Sequence, residues 1–209
     1  MGVTCVYSYP VPDGKSGQAV VEILQRQIEL LGAVRSGHFC VDCDTFQSIL
    51  QTSINVQPKT VYILHNSEQP ASCFAITDTS LCLTADTLFD GLMHQLKNYY
   101  QQRKNAKMDA KGQRYELGDF ILKVGSASLA GSFKGIIVEV EYCPCMVAVD
   151  CWGLMKELLQ SVVGSVADQP PPILKNRQDE LYSPSITVSQ YLDIFNNFRK
   201  LSATNQIGR

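Results

Sequence analysis

Residues 134–159 read Lys-Gly-Ile-Ile-Val-Glu-Val-Glu-Tyr-Cys-Pro-Cys-Met-Val-Ala-Val-Asp-Cys-Trp-Gly-Leu-Met-Lys-Glu-Leu-Leu, and this stretch organises the chain. Its β-branched first part predicts a strand, a proline turn follows, and residues 146–149 predict a second short strand. The apolar spacing from Asp150 onward predicts a helix that begins at its own cap. A helix directly after a strand indicates a plug or cover for a curved sheet. The single tryptophan, Trp152, lies on this helix, and we expect it to be mostly buried.

Outside that stretch, short apolar and β-branched runs predict further strands in hairpin order. These runs cover residues 3–9, 34–45, 61–65, 72–77, 81–85, 114–117 and 119–125. Residues 48–59 are polar and predict a loop. Because short links join neighbouring strands, the pairing should be antiparallel.

Helical spacing recurs in three further segments of the chain. They cover residues 16–31, the stretch from 86 or 87 to 100, and 185–201, the last with Tyr191, Ile194, Phe195 and Phe198 along one face. With the strands, they predict an α+β fold: a strongly curved or closed antiparallel β-barrel with helices packed in and against it.

Length and composition predict one globular domain over residues 1–209, with a proline-containing linker at 164–184 before the C-terminal helix. The net charge of −2 gives no general attraction to nucleic acid or anionic lipid. No apolar run approaches the ~20 residues of a membrane span, and the N-terminus lacks the pattern of a signal peptide. We expect an intracellular protein whose eight cysteines are reduced thiols.

Two groups of cysteines approach the spacing of a zinc site. His38-x-Cys40-x-x-Cys43 is the better one, but on a strand Cys43 points away from the other two side chains. Cys143-x-Cys145 with Cys151 is poorer. Neither group has a second matched half-site, so the sequence predicts no bound metal.

Cys151 is the candidate nucleophile, because it lies in the first turn of the predicted helix, where the helix dipole lowers a thiol pKa. The neighbouring Asp150 opposes a thiolate, and the three histidines form no catalytic motif. The interpretation that fits better is a packed cysteine near Trp152.

Glu139 and Glu141 form the only Glu-x-Glu pair in the chain. Two carboxylates on one inner face of a barrel strand suit Mg²⁺ or Mn²⁺ bound to phosphate oxygens. Such a site needs a second acidic strand, and Glu116 and Asp119 are isolated. The alternating residues 136–142 predict instead that the apolar side chains face the core and the glutamates face solvent or a partner.

The segment from Arg103 to Arg114 carries five basic residues: Arg103, Lys104, Lys107, Lys111 and Arg114. A basic run of this kind binds RNA or an acidic partner in some proteins. Since the whole chain is acidic, a solvated loop is the better prediction, and no direct contact with nucleic acid is expected.

Short blocks along the whole chain resemble the Mediator complex subunit 20 family, also called the TBP-related-factor-proximal proteins. The blocks lie at 1–6, 14–16, 39–43, 65–68, 72–75, 85–87, 89–90, 114–115, 119–120, 123–125, 139–142, 144–145, 150–152, 176–177, 190–191 and 195–196. So many blocks in one order make the resemblance specific.

The resemblance implies a β-barrel with packed helices, similar to Mediator subunit 18 and, more distantly, to tunnel-type RNA triphosphatases. It implies a heterodimer with subunit 18, tethered to the Mediator head module with the help of subunit 8. The implied role is coregulation of RNA polymerase II transcription in the nucleus, without catalysis or a cofactor. The alternative is a tunnel-type, metal-dependent phosphohydrolase acting on RNA triphosphate ends through Glu139 and Glu141.

Overall fold

The computed structural model describes residues 2–49 and 58–207, and the side chains of those up to 203. These ranges contain nine strands. They are β1 (Val3–Tyr9), β2 (Val34–Ser48), β3 (Thr60–Asn66), β4 (Ser72–Thr77), β5 (Cys82–Asp86), β6 (Tyr100–Gln102), β7 (Met108–Leu117), β8 (Phe120–Leu129) and β9 (Ser132–Tyr142). The α-helices are α1 (Gly17–Leu30), α2 (Phe89–Gln95), α3 (Ala148–Val163), α4 (Pro172–Lys175) and α5 (Pro184–Ile207).

The strands form one antiparallel sheet in the order β1-β9-β8-β7-β2-β3-β4-β5, with β6 paired to β2. The sheet curls into a half-barrel, so the predicted α+β fold with a strongly curved antiparallel sheet is confirmed. Short reversals join β3 to β4 and β4 to β5, and these are the links from which the sequence predicts antiparallel pairing. Short reversals also join β7 to β8 and β8 to β9.

Helix α5 packs against the inner face of the half-barrel. Its buried side chains Val188, Tyr191, Phe195 and Phe198 follow one another at intervals of three or four residues, which places them on one side of a helix. They share a core with inward-facing strand residues such as Phe39 of β2. The predicted apolar face of the C-terminal helix is thereby confirmed.

Helices α1 and α3 cover the opposite face of β8 and β9. Leu24 and Ile28 of α1 and Met155 and Leu159 of α3 are buried there with Val138 of β9. Strand β9 therefore has a helix layer on both sides, and its residues from 135 to 141 are all buried. Because helices cover both faces, the side chains on either face of β9 are shielded from solvent.

The segment 146–149 is not the predicted second strand. Val147 makes only an isolated bridge to Leu181, and α3 begins at Ala148. Asp150 therefore lies inside the first helical turn and is not the cap. No described side chain caps this helix. Val149 N–H, one of the free donors in its first turn, donates a hydrogen bond to the carbonyl of Gln178.

Two other predicted boundaries are also wrong. The helix expected to reach residue 100 is only α2, followed by a short 3₁₀ turn and β6, because residues 100–102 pair with the long end of β2. The basic segment 103–114 is not all loop, since β7 begins at Met108. Met108 and Ala110 point into the core, and the charged residues alternate with them.

The predicted linker contains ordered structure. A 3₁₀ turn covers Gly164–Ala167, and α4 follows. Leu174 is buried in the core that α1 and α3 form with β8 and β9, which we call the outer core. Of the predicted loop at 48–59, residues 50–57 lie outside the described part of the chain. Among the described residues, no helix is long and apolar enough to cross a membrane. Each of the eight cysteines falls within the described ranges and is a free thiol.

Trp152 is mostly buried, as predicted, although part of the indole remains in contact with solvent. It lies one residue off the buried stripe of α3 and contacts the edge of the outer core. A fully buried indole would lose about 3–5 kcal/mol on Trp152→Ala. With the indole partly in solvent, we expect a loss of about 1–2 kcal/mol in the free energy of unfolding, measured by urea denaturation. A loss above about 3 kcal/mol would contradict this placement.

Candidate functional site

The structure does not bring the candidate zinc ligands of β2 together. His38 is exposed, Cys40 is partly exposed, and Cys43 is buried on the opposite face, under α5. There the guanidinium of Arg199 donates a hydrogen bond to Cys43 Sγ at 3.4 Å. Burial raises the pKa of the Cys43 thiol, although Arg199 partly offsets it. Cys43 is therefore a core residue.

Cys151 is also a packed residue. It is buried at the start of α3, and its thiol donates to the helix carbonyls of Val147 and Ala148. Burial, together with the neighbouring Cys145 and Asp150, raises its pKa to about 12. The expected lowering of this pKa by the helix N-terminus is outweighed, and the thiol stays protonated at neutral pH.

Glu139 is buried inside the chain, so the prediction that it faces solvent or a partner is wrong. It points into the half-barrel, where only 1% of Glu139 and 1% of Lys123 is exposed. Lys123 Nζ donates to Glu139 Oε1 at 2.7 Å, and the hydroxyl of Tyr191 donates to Oε2. Burial alone would lower the pKa of Lys123, but the carboxylates of Glu139 and Glu68 raise it. The amine is therefore charged and paired at neutral pH.

Glu141 is buried as well, and its Oε1 accepts a hydrogen bond from the backbone N–H of Gly2 at 2.6 Å. Glu68 Oε1 lies 3.5 Å from Lys123 Nζ and 3.5 Å from Arg114 Nε. Lys123 therefore lies between Glu139 of β9 and Glu68 of the β3–β4 turn, and Glu68 also contacts Arg114. Three of the four oxygens of the Glu-x-Glu pair accept hydrogen bonds from the chain itself, which leaves this group as an internal charge network.

Sequence reasoning missed Lys123 as the partner of Glu139, although a signal was present. Lys123 is the single charged residue of β8, whose sequence is Phe-Ile-Leu-Lys-Val-Gly-Ser-Ala-Ser-Leu. It pairs directly opposite Glu139 in the β8–β9 register. A lone cation in an apolar strand, beside a strand with a lone acidic pair, predicts an internal ion pair.

The basic segment is largely neutralised by neighbouring acids. Lys107 Nζ lies 3.4 Å from Asp44 Oδ2, and Lys111 Nζ lies 2.9 Å from Asp109 Oδ2. Arg114 pairs with Glu116 on the same strand. These three cations therefore make no free basic surface, as would be needed to attract a nucleic-acid backbone.

The two edge strands of the sheet, β1 and β5, differ in whether other residues cover them. The β1 edge is covered. Gln190 of α5 accepts a hydrogen bond from Val6 N–H at 3.0 Å and donates to the carbonyl of Thr4 at 3.0 Å. Its amide thus replaces the peptide group of a neighbouring strand. The Tyr182 hydroxyl also donates to the carbonyl of Thr4, and Val3 N–H donates to the carbonyl of Cys145. Another chain would have to displace α5 to pair with β1.

The β5 edge is open. No strand of the described residues pairs with its outer side. Exposed leucines lie in this strand and on either side of it in sequence. The exposed fraction is 68% for Leu81, 54% for Leu83 and 78% for Leu88. Leu92, on the following helix, is 45% exposed. We call β5 and these four leucines the β5 edge; it combines unpaired backbone groups with an apolar surface, the two features of strand-addition interfaces.

The sequence predicted β5 as a strand but did not identify it as an edge. Leu81 and Leu83 alternate as they would in any half-buried strand. Their exposure follows from the strand order, which ends at β5, and that order depends on long-range pairing.

Comparison with known proteins gives a consistent result. Residues 1–196 match the family model described as TATA-binding related factor (TRF) of subunit 20 of Mediator complex. The chain is 48% identical to human Mediator of RNA polymerase II transcription subunit 20 over 202 residues, 96% of this chain and 95% of the human one. The Xenopus laevis protein of that name is 44% identical over 206 residues, 98% of each chain.

The Aedes aegypti protein with the same name is 46% identical, with 96% of this chain and 95% of that protein covered. Among solved structures, the PH1012 protein from Pyrococcus horikoshii OT3 shows a weak likeness. Its TM-score is 0.46 at 11% identity, over 78% of this chain and 90% of that chain.

Proposed function

This chain belongs to the Mediator subunit 20 family, and on that premise we propose that it is a non-catalytic subunit of the Mediator head module. It supports RNA polymerase II transcription in the nucleus through contacts with other proteins. The observation that carries this proposal is the family match over nearly the whole chain. The internal charge network supports it, because the acidic side chains that resembled a catalytic pair are engaged by Lys123, Tyr191 and Gly2.

We propose Mediator subunit 18 as the direct partner, with subunit 8 tethering the pair to the rest of the head module. Subunit 18 docks at the β5 edge. Support comes from the contrast between the two sheet edges, since Gln190 covers β1 and no described strand pairs with the outer side of β5. A stable heterodimer needs about 1,200–2,000 Å² of buried surface in total, so the contact extends beyond β5 onto the neighbouring α2.

Charged substitutions on the β5 edge should weaken the heterodimer. Leu83→Asp together with Leu88→Asp places two carboxylates at the centre of the proposed interface, and we expect Kd to rise at least about tenfold, or about 1.4 kcal/mol. Both side chains are more than half exposed, so the fold should persist. Titration of the purified variant with subunit 18, by calorimetry or pull-down, measures the change.

The matched control is Leu30→Asp. Leu30 is 79% exposed at the end of α1, which packs on β8 and β9, far along the sheet from β5. This control should bind subunit 18 like the unmodified chain. If the unmodified chain shows no association at micromolar concentrations, the partner is wrong. If the control and the β5 variant weaken binding equally, the docking surface is wrong.

No structural observation favours the alternative of a tunnel-type phosphohydrolase. That reaction needs Glu139 and Glu141 to face a polar cavity in which metal ions and a triphosphate are bound. In this chain α5 fills the inner side of the sheet at that point, and Tyr191 of α5 takes one of the Glu139 oxygens.

A further inference from the structure

Three potential metal ligands meet where α2 packs on the sheet. They are His65 of β3, Cys73 of β4 and Asp90 of α2, and their ligand atoms all lie within 4.8 Å of one another. His65 and Cys73 are direct cross-strand partners in the β3–β4 register, so both side chains project from the same face. Asp90 reaches the same place from the first turn of α2.

The imidazole of His65 is already oriented as a metal ligand would be. Its Nδ1 lies 3.1 Å from Asp42 Oδ1, which leaves Nε2 directed at Asp90 and Cys73. A carboxylate at the far nitrogen is the usual outer partner of a metal-bound histidine. Nε2 is shielded from solvent and lies 3.0 Å from Asp90 Oδ2.

We propose that His65 Nε2, Cys73 Sγ and Asp90 Oδ2 form a zinc-binding site. Imidazole, thiolate and carboxylate are the three ligand types that Zn²⁺ takes from proteins. One thiolate and one carboxylate balance the charge of the ion, and binding releases the thiol proton and any proton on Nε2. The fourth position opens to a cleft of about 370 Å³, which His94, one turn after Asp90 on α2, also lines.

The site would tie α2 to the sheet. This helix has seven residues, and Met93 is its single buried side chain. The small core under it consists of Ile63, Cys73 and Met93 with partly buried neighbours. A metal that joins β3, β4 and α2 would hold the helix against the sheet beside the β5 edge, independently of which partner docks there.

Cobalt binding to the untagged full-length chain tests the proposal. With Co²⁺ as the probe, we expect one equivalent to bind and to give the near-ultraviolet absorption of a cobalt–thiolate bond, and Zn²⁺ should displace it. Cys73→Ser should abolish this absorption. Asp42→Asn removes the outer partner of His65, together with an ion pair of 3.6 Å to the exposed Lys107, and should weaken binding about 10–100-fold.

Cys40→Ser is the control, because Cys40 is a partly exposed thiol outside the cluster and its loss should change nothing. Since Cys73 is buried and its replacement can disturb the fold, Asp90→Asn serves as a second variant; the Asp90 side chain is 46% exposed. It should also weaken binding by tenfold or more. Absence of thiolate absorption in the unmodified chain, or absorption that persists in Cys73→Ser, would overturn the proposal.

Discussion

Replacing Lys123 with methionine should destabilise the folded chain by about 3–5 kcal/mol, because the substitution leaves the buried carboxylate of Glu139 without its cation. Both side chains are 2% exposed, so neither can turn to solvent without opening the half-barrel. Water would have to enter between α5 and the sheet to hydrate the carboxylate. Urea denaturation followed by far-ultraviolet circular dichroism measures the loss.

Two controls separate the buried ion pair from a general effect of the substitution. Adding Glu139→Gln to Lys123→Met removes the unpaired charge and keeps an acceptor for the Tyr191 hydroxyl, so the double variant should recover much of the stability. Lys111→Met on the neighbouring strand removes an exposed pair with Asp109 and should cost less than about 1 kcal/mol. A loss below about 1 kcal/mol for Lys123→Met itself would mean that the pair is solvated.

Phe195→Ala should also lower the free energy of unfolding by about 3–5 kcal/mol, because it removes a fully buried ring from the core between α5 and the sheet. The ring lies 5.9 Å from that of Tyr191, which donates to Glu139, so the new cavity would adjoin the charge network. We expect the loss at the upper end of this range because the curved sheet, already paired strand to strand, cannot collapse easily into the space.

Leu201→Ala provides the matched control on the same helix. Leu201 is 62% exposed, and its truncation should cost less than about 0.5 kcal/mol. If Phe195→Ala lost no more stability than this control, α5 would not be an integral part of the fold. The half-barrel would then be open on its inner side, and the comparison with tunnel-type enzymes would need to be reconsidered.

The sequence predicted those elements whose signals are local. Strands β3, β4 and β5 follow one another through short turns, and the stripe of Tyr191, Phe195 and Phe198 identifies the buried side of α5. The resemblance to the Mediator subunit 20 family was also visible in blocks of contiguous residues, and the comparisons confirm it.

The orientation of Glu139 and Glu141 could not be predicted from β9 alone. Alternation assigns the polar residues of a strand to solvent only where one face of the sheet is free. Here α5 lies on that face, and Lys123 on β8 supplies the compensating charge. The error came from treating the strand by itself, whereas its surroundings are set by helices far away in sequence.

Features formed by residues far apart in the sequence could not be predicted either, because they depend on the tertiary arrangement. The cluster of His65, Cys73 and Asp90 has no short metal-binding spacing, because cross-strand register and the position of α2 bring it together. The contrast between a covered β1 edge and an open β5 edge depends on Gln190, which is 184 residues from Val6. Such contacts follow from the tertiary arrangement, which the local pattern of neither segment specifies.

Hydrogen–deuterium exchange of the chain, alone and mixed with Mediator subunit 18, would show which edge of the sheet the partner covers. If subunit 18 docks at the open edge, the amides of β5, Cys82–Asp86, should become protected in the complex, while those of β1 should change little. Strand β1 already has its edge covered by Gln190 in the free chain. Unchanged exchange in β5, or new protection confined to β1, would contradict the account.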